Sequence, residues 1–142
     1  MKAVLIPGDG IGREIAQSVR KISDVLATGI EWEEYAAGAE YAAEHGELLQ
    51  PGALDAIEEY GWALKGPTAT PIGKGFRSIN VQLRQRFSTY ANLRPVHTLP
   101  GVPTRFDNVD LVIVRENTED LYKGIEYMVN DEMANGVKLI TR

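Results

Sequence analysis

The segment LIPGDGIGREI, residues 5–15, joins a short apolar run to a helix-like stretch through three glycines at alternate positions. This order predicts a strand, a tight turn and a helix. A dinucleotide-binding fingerprint requires G-x-G-x-x-G after a strand, whereas Gly8, Gly10 and Gly12 form G-x-G-x-G. We therefore interpret the glycines as a strand-to-helix turn that needs positive φ angles, in preference to a pyrophosphate site.

Strand-like and helix-like segments alternate along the rest of the chain. Apolar runs predict strands at residues 3–6, 30–35, 62–65, 91–98 and 111–115, the last of them buried. Helical spacing predicts helices at about 13–27, 37–45, from 51 onward and 78–90. The apolar residues of the first helix recur every three or four positions and would form one face: Ile15, Val19, Ile22 and Leu26. The alternation predicts a parallel α/β sheet.

The formal net charge of −5 is distributed unevenly over the 142 residues. Residues 61–106 contain no Asp or Glu and carry a formal charge of +7, which leaves −12 for the remainder. The cations of this stretch are Lys65, Lys74, Arg77, Arg84, Arg86, Arg94 and Arg105. Cations held close together repel one another unless an anion joins them, so the stretch is a candidate anion site. A solvated basic face is the alternative. Nucleic acid is disfavoured, since the chain is acidic and its arginines are not interleaved with aromatic residues.

The composition excludes several classes of site. The chain has no cysteine, hence no disulfide and no thiolate metal site. Neither His45 nor His97 has a partner at metal-ligand spacing, so we predict no metal site in this chain. No apolar run approaches the ~18 residues of a membrane span, and the N-terminus lacks the pattern of a signal peptide. We therefore expect a cytoplasmic protein with no membrane partner.

Five blocks of sequence occur in order across nearly the whole chain: IPGDGIGREI, LKGPTATP, SINVQLRQ, YANLRPV and VIVRENTEDLYKGIEY. They resemble the β-decarboxylating dehydrogenases of the isocitrate/isopropylmalate dehydrogenase family, which also includes homoisocitrate and tartrate dehydrogenases. Arg13 departs from the family, which often has Pro there, but Pro in a first helical turn is only a local preference. The resemblance implies an α/β fold. It corresponds to the N-terminal part of the isopropylmalate dehydrogenase-like fold, a mostly parallel sheet flanked by helices, incomplete in this chain.

The resemblance also implies roles for individual residues. The family's three substrate arginines correspond to Arg84, Arg94 and Arg115, and its catalytic tyrosine corresponds to Tyr122. Thr70 corresponds to a loop residue that contacts the substrate and the nicotinamide. Ser78 and Asn80 resemble the isocitrate branch, where they would bind a third carboxylate that isopropylmalate lacks. Guanidinium groups bind carboxylates bidentately and keep their charge. A tyrosine beside the departing carboxylate can protonate the enol as a general acid.

These roles compete with simpler interpretations and with other functions. The arginines are alternatively solvated or paired with acidic neighbours such as Glu116, and Ser78 is alternatively a plain N-cap. The leading hypothesis is the substrate-binding portion of an isocitrate dehydrogenase-like enzyme, which converts isocitrate to 2-oxoglutarate with NAD(P). Homoisocitrate or isopropylmalate dehydrogenase is the alternative within the class. Outside the class, the alternatives are a non-catalytic tricarboxylate-binding or regulatory subunit and one half of a split enzyme.

Family members are considerably longer than this chain, and the resemblance implies which parts lie elsewhere. The base lysine, the aspartates that hold Mg²⁺ or Mn²⁺, and the loop for adenine and ribose belong to the part that this chain does not match. We therefore expect that the chain alone binds neither NAD(P) nor a metal ion and does not turn over isocitrate. Losing members of a catalytic group that acts as a unit removes most of its activity. The choice between NAD and NADP stays open.

The resemblance further implies that the chain consists of three structural parts. Residues 1–90 would form the N-terminal part of the large domain, 91–121 the start of the small domain, and 122–142 the start of a dimer arm or clasp. A first third of the family's sequence should leave strand edges and apolar faces uncovered. We therefore expect a homodimer through the arm, or docking with a complementing C-terminal half.

Overall fold

The computed structural model describes residues 1–70 and 78–141. The chain divides into two compact units, Met1–Leu83 and Arg84–Arg142. The elements, in chain order, are β1 (Lys2–Ile6), α1 (Gly12–Val25), β2 (Glu31–Glu34), α2 (Ala39–His45), α3 (Ala53–Tyr60), β3 (Ala63–Lys65), α4 (Ile79–Arg86), β4 (Ala91–His97), β5 (Asp110–Glu116), a 3₁₀ turn (Leu121–Lys123), β6 (Glu126–Asn130) and β7 (Met133–Gly136). None of the described helices combines the length and apolar character that a membrane crossing needs.

The first unit is built on a parallel three-stranded sheet in the order β2–β1–β3. The central strand β1 is apolar, and residues 3–6 are no more than 1 % exposed. Helix α3 packs against β1 and contributes buried residues to the core: Ala53, Ala56 and Ile57. A continuous apolar run that is buried on both faces is typical of a central parallel strand. The predicted α/β fold with a parallel sheet is confirmed in this unit.

The glycine turn after β1 packs against the loop that follows β3. Gly8 has a φ angle of +77°, and a Cβ atom there would lie 1.9 Å from the carbonyl oxygen of Pro67. Cβ atoms at Gly12 and Gly66 would each lie 2.1 Å from the carbonyl oxygen of Pro7. Glycine is therefore required both for the left-handed backbone and for the close approach of the two segments. The interpretation of the motif as a tight turn is confirmed.

Helix α1 buries small residues and exposes most of the apolar face that its sequence predicts. The residues that it buries are small: Gly12, Ala16 and Ser23. Three of the four residues of the predicted apolar face are exposed: Ile15, Ile22 and Leu26. The larger apolar face of α1 remains largely uncovered in the described structure.

The second unit contains two antiparallel pairs rather than more parallel sheet. Strand β4 pairs with β5 along its full length, and β6 pairs with β7. The prediction that residues 111–115 are buried was wrong, since Val114 of β5 is 65 % exposed. A two-stranded pair buries an apolar face only where another element covers it. Pro95 lies in β4, which is an edge strand as expected, because Pro has no backbone N–H to donate to a ladder.

Helix α4 begins directly after Ser78, whose carbonyl oxygen accepts a hydrogen bond from the backbone N–H of Gln82. The helix ends at Arg86 rather than near residue 90, and Ile79 is its buried residue. Two of the predicted cations, Lys74 and Arg77, lie outside the described residues.

Candidate functional site

Two arginine side chains lie against one tyrosine ring in the second unit. The Cζ atoms of Arg84 and Arg115 are each 5.7 Å from the centroid of the Tyr122 ring. Nη2 of Arg115 also donates a 2.5 Å hydrogen bond to the phenolic oxygen of Tyr122. A guanidinium group within about 6 Å of an aromatic face is attracted by the ring's quadrupole. The structure thus brings three of the predicted site residues together.

The antiparallel register places Arg94 near Arg115. Arg94 on β4 is opposite Ile113, and Asn92 is opposite Arg115. Side chains two residues apart on a strand share a face, so Asn92, Arg94 and Arg115 lie on one face of the pair. Nε of Arg94 donates a 3.1 Å hydrogen bond to Oδ1 of Asn92. Diagonal neighbours on such a face are about 7–8 Å apart, a separation that long side chains can bridge.

None of these three arginines is paired with a carboxylate of the described residues. Glu116, the neighbour considered as a partner, is engaged elsewhere. Its carboxylate accepts hydrogen bonds from the backbone N–H groups of Thr118 and Glu119 and from the hydroxyl group of Thr118. Burial opposes its ionisation, but these hydrogen bonds outweigh burial and lower the pKa of Glu116 to about 2. The positive charge of the arginines is therefore not neutralised within the described part of the unit.

Tyr122 is carried by the short 3₁₀ turn Leu121–Lys123, which follows β5. Asp120 caps this turn, since its carboxylate accepts a 2.8 Å hydrogen bond from the next backbone N–H. Gln85 of α4 donates a 3.3 Å hydrogen bond from Nε2 to the carbonyl oxygen of Tyr122. Helix α4 and the turn are therefore joined at the residue after Arg84, which keeps the Arg84 side chain beside the ring.

Three further predicted site residues belong to the first unit: Thr70, Ser78 and Asn80. All three are half-buried. Ser78 precedes α4, and Asn80 lies in its first turn, four residues before Arg84. Positions four apart lie on one face of a helix, so Asn80 and Arg84 share a face of α4. Thr70 lies on the loop after β3. The roles assigned to the site residues remain predictions.

Asn117 belongs to the same region, although sequence reasoning did not single it out. It is 6 % exposed and is the one buried residue among the described residues of the second unit. Its Nδ2 atom donates a 3.3 Å hydrogen bond to the carbonyl oxygen of Thr89. An asparagine in a polar run such as ENTED is typical of a loop, so the sequence carries no signal of this burial.

In the first unit, the carboxylate of Asp9 joins three segments of the chain. Its oxygens accept hydrogen bonds from the backbone N–H groups of Ala39 at 3.1 Å, Glu40 at 3.0 Å and Ala69 at 2.6 Å. Burial opposes ionisation, but these bonds and the nearby charge of Arg13 outweigh it and hold the pKa of Asp9 below its usual value. A fixed negative charge in the glycine turn disfavours a second anion, such as a pyrophosphate, at the same place.

The described residues do not fit a metal centre. Within residues 1–70 and 78–141, no group of three or more His, Asp or Glu side chains is placed to hold a metal ion. Mg²⁺ and Mn²⁺ prefer carboxylate and other oxygen ligands. The carboxylate nearest in sequence to the arginines, that of Glu116, is occupied by backbone and hydroxyl donors. The arrangement is instead suited to an anion.

Comparisons with known proteins agree with the resemblance found in the sequence. The sequence pattern of the family described as isocitrate/isopropylmalate dehydrogenase matches residues 2–142. A chloroplastic 3-isopropylmalate dehydrogenase of Solanum tuberosum is 47 % identical over 142 residues, which cover 100 % of this chain and 40 % of that protein. A mitochondrial isocitrate dehydrogenase [NAD] catalytic subunit of Arabidopsis thaliana is 47 % identical over 140 residues, which cover 99 % and 37 %.

The fold also has a counterpart among solved structures. The isocitrate dehydrogenase from Methylococcus capsulatus matches with a TM-score of 0.89 and 40 % identity, over 99 % of this chain and 42 % of that one. This likeness confirms the predicted fold class. The chain spans about two fifths of the length of the relatives that it matches.

Proposed function

Because the chain belongs to the isocitrate/isopropylmalate dehydrogenase family, we propose that it supplies the substrate-binding part of an enzyme that oxidises and decarboxylates isocitrate to 2-oxoglutarate with NAD or NADP. The observation that carries this proposal is the set of three arginines without a carboxylate partner among the described residues: Arg84, Arg94 and Arg115. Such a set attracts an anion, and a small polycarboxylate supplies several negative charges at once.

In the proposed site, the guanidinium groups bind the substrate's carboxylates. Isocitrate carries three carboxylates, and arginine stays charged at any working pH and offers a planar pair of donors to each carboxylate. Ser78 and Asn80 donate from a hydroxyl and an amide group to the third carboxylate. Isopropylmalate has an alkyl group in its place. Polar donors at these two positions therefore favour isocitrate over isopropylmalate.

Tyr122 is the proposed general acid. After CO₂ leaves the oxidised substrate, the enol carbon takes up a proton, and the phenol supplies it. The oxygen that remains keeps its hydrogen bond from Arg115, which is 2.5 Å long in the structure. Negative charge thus develops on an oxygen that already faces a guanidinium donor. The same arginine therefore serves both substrate binding and proton transfer.

The cofactor part of the proposal rests on one residue of this chain. When bound, a nicotinamide would supply an acceptor for the hydride from the carbon that bears the substrate's hydroxyl group, and Thr70 is the residue that we assign to the loop beside it. The described residues do not fit a metal centre, so no step of the proposal passes through a metal ion held by this chain. The base lysine, the metal aspartates and the adenine loop belong to the unmatched part of the family's length. We therefore expect the isolated chain to bind substrate without turning it over.

A 3-isopropylmalate dehydrogenase is the second candidate within the family. It is favoured by the 47 % identity to the Solanum tuberosum protein, equal to the identity to the Arabidopsis thaliana isocitrate dehydrogenase subunit. Ser78 and Asn80 argue against it, since neither complements a branched alkyl group. Homoisocitrate keeps the third carboxylate, so it fits the same polar residues and needs a direct comparison of affinities.

We also propose a partner and a location. Residues 122–142, which contain the exposed β6–β7 pair, would form an arm for a homodimer, and a complementing C-terminal half is the alternative. Residues 1–90 and 91–121 would belong to a large and a small domain. The proposed location is the cytoplasm.

Calorimetry tests the substrate. Isocitrate, homoisocitrate and 3-isopropylmalate are titrated into the parent chain, the Arg84→Ala variant and the matched control Arg105→Ala, whose guanidinium lies over Phe106. Isocitrate should bind more tightly than 3-isopropylmalate. Arg84→Ala should weaken isocitrate binding about tenfold or more, because a charge-assisted hydrogen bond is lost. Arg105→Ala should leave the affinity unchanged. An Arg84→Ala variant that binds as well as the parent would contradict the carboxylate site.

An activity assay tests the expected lack of turnover by the chain alone. Reduction of NAD and of NADP is followed with isocitrate and Mg²⁺, with and without a separately expressed C-terminal half. We expect no turnover by the chain alone. Turnover only on mixing would support the complementing half, and binding without turnover in either case would favour a non-catalytic subunit. Turnover by the chain alone would overturn the predicted inactivity.

A further inference from the structure

Asn117 is a buried polar side chain in a unit whose apolar residues are largely exposed. It is 6 % exposed, whereas Val114 on the preceding strand is 65 % exposed. Its Oδ1 atom is buried and accepts no hydrogen bond from the described residues. Burying an amide that is only partly hydrogen-bonded costs stability, so its placement calls for a reason other than packing.

Hydrogen bonds connect Asn117 to the end of helix α4. Its Nδ2 atom donates to the carbonyl oxygen of Thr89 at 3.3 Å. The backbone N–H of Thr89 in turn donates to the carbonyl oxygen of Arg84 at 3.0 Å. Arg115 lies only two residues before Asn117, at the end of β5. Asn117 therefore ties the segment that carries Arg115 and Tyr122 to the segment that carries Arg84.

We propose that Asn117 is a positioning residue, which holds Arg84 against the Tyr122 ring so that two guanidinium groups act on one substrate. The contact of Arg115 with Tyr122 is local, since the two residues are seven apart and directly hydrogen-bonded. The contact of Arg84 with that ring joins distant parts of the chain, which two hydrogen bonds bridge: Gln85–Tyr122 and Asn117–Thr89. That both guanidinium groups act on one substrate rests on the proposed function. The position of Arg84 beside the Tyr122 ring can be tested separately.

The bridge depends on the amide group of Asn117. Its nitrogen donates to the Thr89 carbonyl, whereas an aspartate would face that carbonyl with a second acceptor and bury a charge. A leucine has a similar size and offers no donor. Asn117→Leu and Asn117→Asp thus break the bridge while nearly preserving the side chain's volume. Asn135 provides a matched control, because its Nδ2 donates to the hydroxyl of Tyr127 on the exposed β6–β7 pair.

The test uses the full 142-residue chain and the side-chain Nε–H signals of its arginines in ¹⁵N NMR. An aromatic ring shifts nearby nuclei, so Tyr122→Leu gives the reference position for a guanidinium that has lost the ring. In Asn117→Leu and Asn117→Asp, the Arg84 signal should move part of the way to that reference, since the Gln85–Tyr122 hydrogen bond remains, while the Arg115 signal keeps its parent position. Asn135→Leu should move neither signal.

Each other outcome overturns the positioning role. Arg84 and Arg115 signals that move together, an Arg84 signal that stays, or unfolding of both Asn117 variants would show an ordinary structural residue.

Isocitrate calorimetry tests whether this positioning serves substrate binding: Asn117→Leu should weaken binding about fivefold, as for the loss of one hydrogen bond. An unchanged affinity with a displaced Arg84 signal would refute that purpose. A parent chain that does not bind isocitrate, with the Arg84 signal still displaced in the variants, would refute the proposed function and support the positioning role.

Discussion

Nη2 of Arg115 lies 2.5 Å from the phenolic oxygen of Tyr122, and its guanidinium carbon lies over the same ring. Arg84 approaches that ring as well. Neither cation has a carboxylate partner among the described residues, so the neutralising charge must come from another molecule or from solvent ions. This arrangement of charge is the physical basis of the proposed polycarboxylate site.

Tyr122→Phe should destabilise the second unit by about 1 kcal/mol, because it removes the hydrogen bond from Arg115 and keeps the aromatic ring. Urea unfolding of the parent and the variant measures the difference. Tyr127→Phe is the matched control, since its hydroxyl accepts only a neutral amide bond from Asn135 on an exposed pair of strands. Its effect should be smaller. Equal effects of the two substitutions would contradict a special role for the Arg115–Tyr122 bond.

Gly8→Ala should destabilise the first unit by more than about 2 kcal/mol. The backbone at Gly8 is left-handed, and the new Cβ would lie 1.9 Å from the carbonyl oxygen of Pro67. Gly29→Ala is the control, because Gly29 has a similar φ of +69° with no atom within 4 Å of the added Cβ. It should cost only about 1 kcal/mol. Thermal and urea unfolding compare the two, and a smaller loss at Gly8 than at Gly29 would refute the close packing of the two loops.

Asp9→Asn should reduce the acid sensitivity of the first unit. Burial raises the pKa of Asp9, but three backbone N–H groups outweigh burial and lower it overall. A group with a lowered pKa contributes stability that is present above its unfolded value, about 3.9, and is lost as the pH falls through the folded pKa. The free energy of unfolding of the parent should thus fall more steeply below about pH 4 than that of the variant.

Urea unfolding at a series of pH values measures these slopes. Asp24→Asn, at an exposed position of α1, serves as the control and should keep the slope of the parent. An Asp9→Asn variant with the parent's slope below about pH 4 would contradict the assigned hydrogen bonds.

Ile22→Ser should change the free energy of unfolding of this chain by less than about 0.5 kcal/mol, since Ile22 is largely exposed on α1. Leu5→Ala, in the buried strand β1, should cost about 3 kcal/mol. The comparison tests whether the apolar face of α1 is uncovered. A large loss at Ile22 would show that this face is covered.

Much of the first unit could be predicted from local patterns. The apolar run of β1 and the glycines after it predict a buried strand and a tight turn, because both depend on short-range chemistry. The buried face of α1 and the burial of β5 could not be predicted in the same way. An apolar pattern identifies which residues avoid water, but a second element decides which of them are covered. Within the described residues, α1 buries small side chains instead.

In the candidate site, too, residues in local motifs could be predicted and residues that depend on distant contacts could not. Arg84, Arg115 and Tyr122 were predicted because they stand in ordered motifs, and the structure brings them together. Asn117 and Asp9 were not predicted, although each joins separate segments. Their partners are backbone groups far away in sequence, which no local pattern reveals.

The central claim is that Arg84, Arg94 and Arg115 bind one polycarboxylate together. Isocitrate is titrated into the ¹⁵N-labelled chain while the side-chain Nε–H signals of these three arginines are followed, with Arg105 as the reference. The account predicts that the three signals shift along one binding curve with a single dissociation constant, while the Arg105 signal stays in place. Different dissociation constants for the three arginines, or one of them that does not respond, would contradict it.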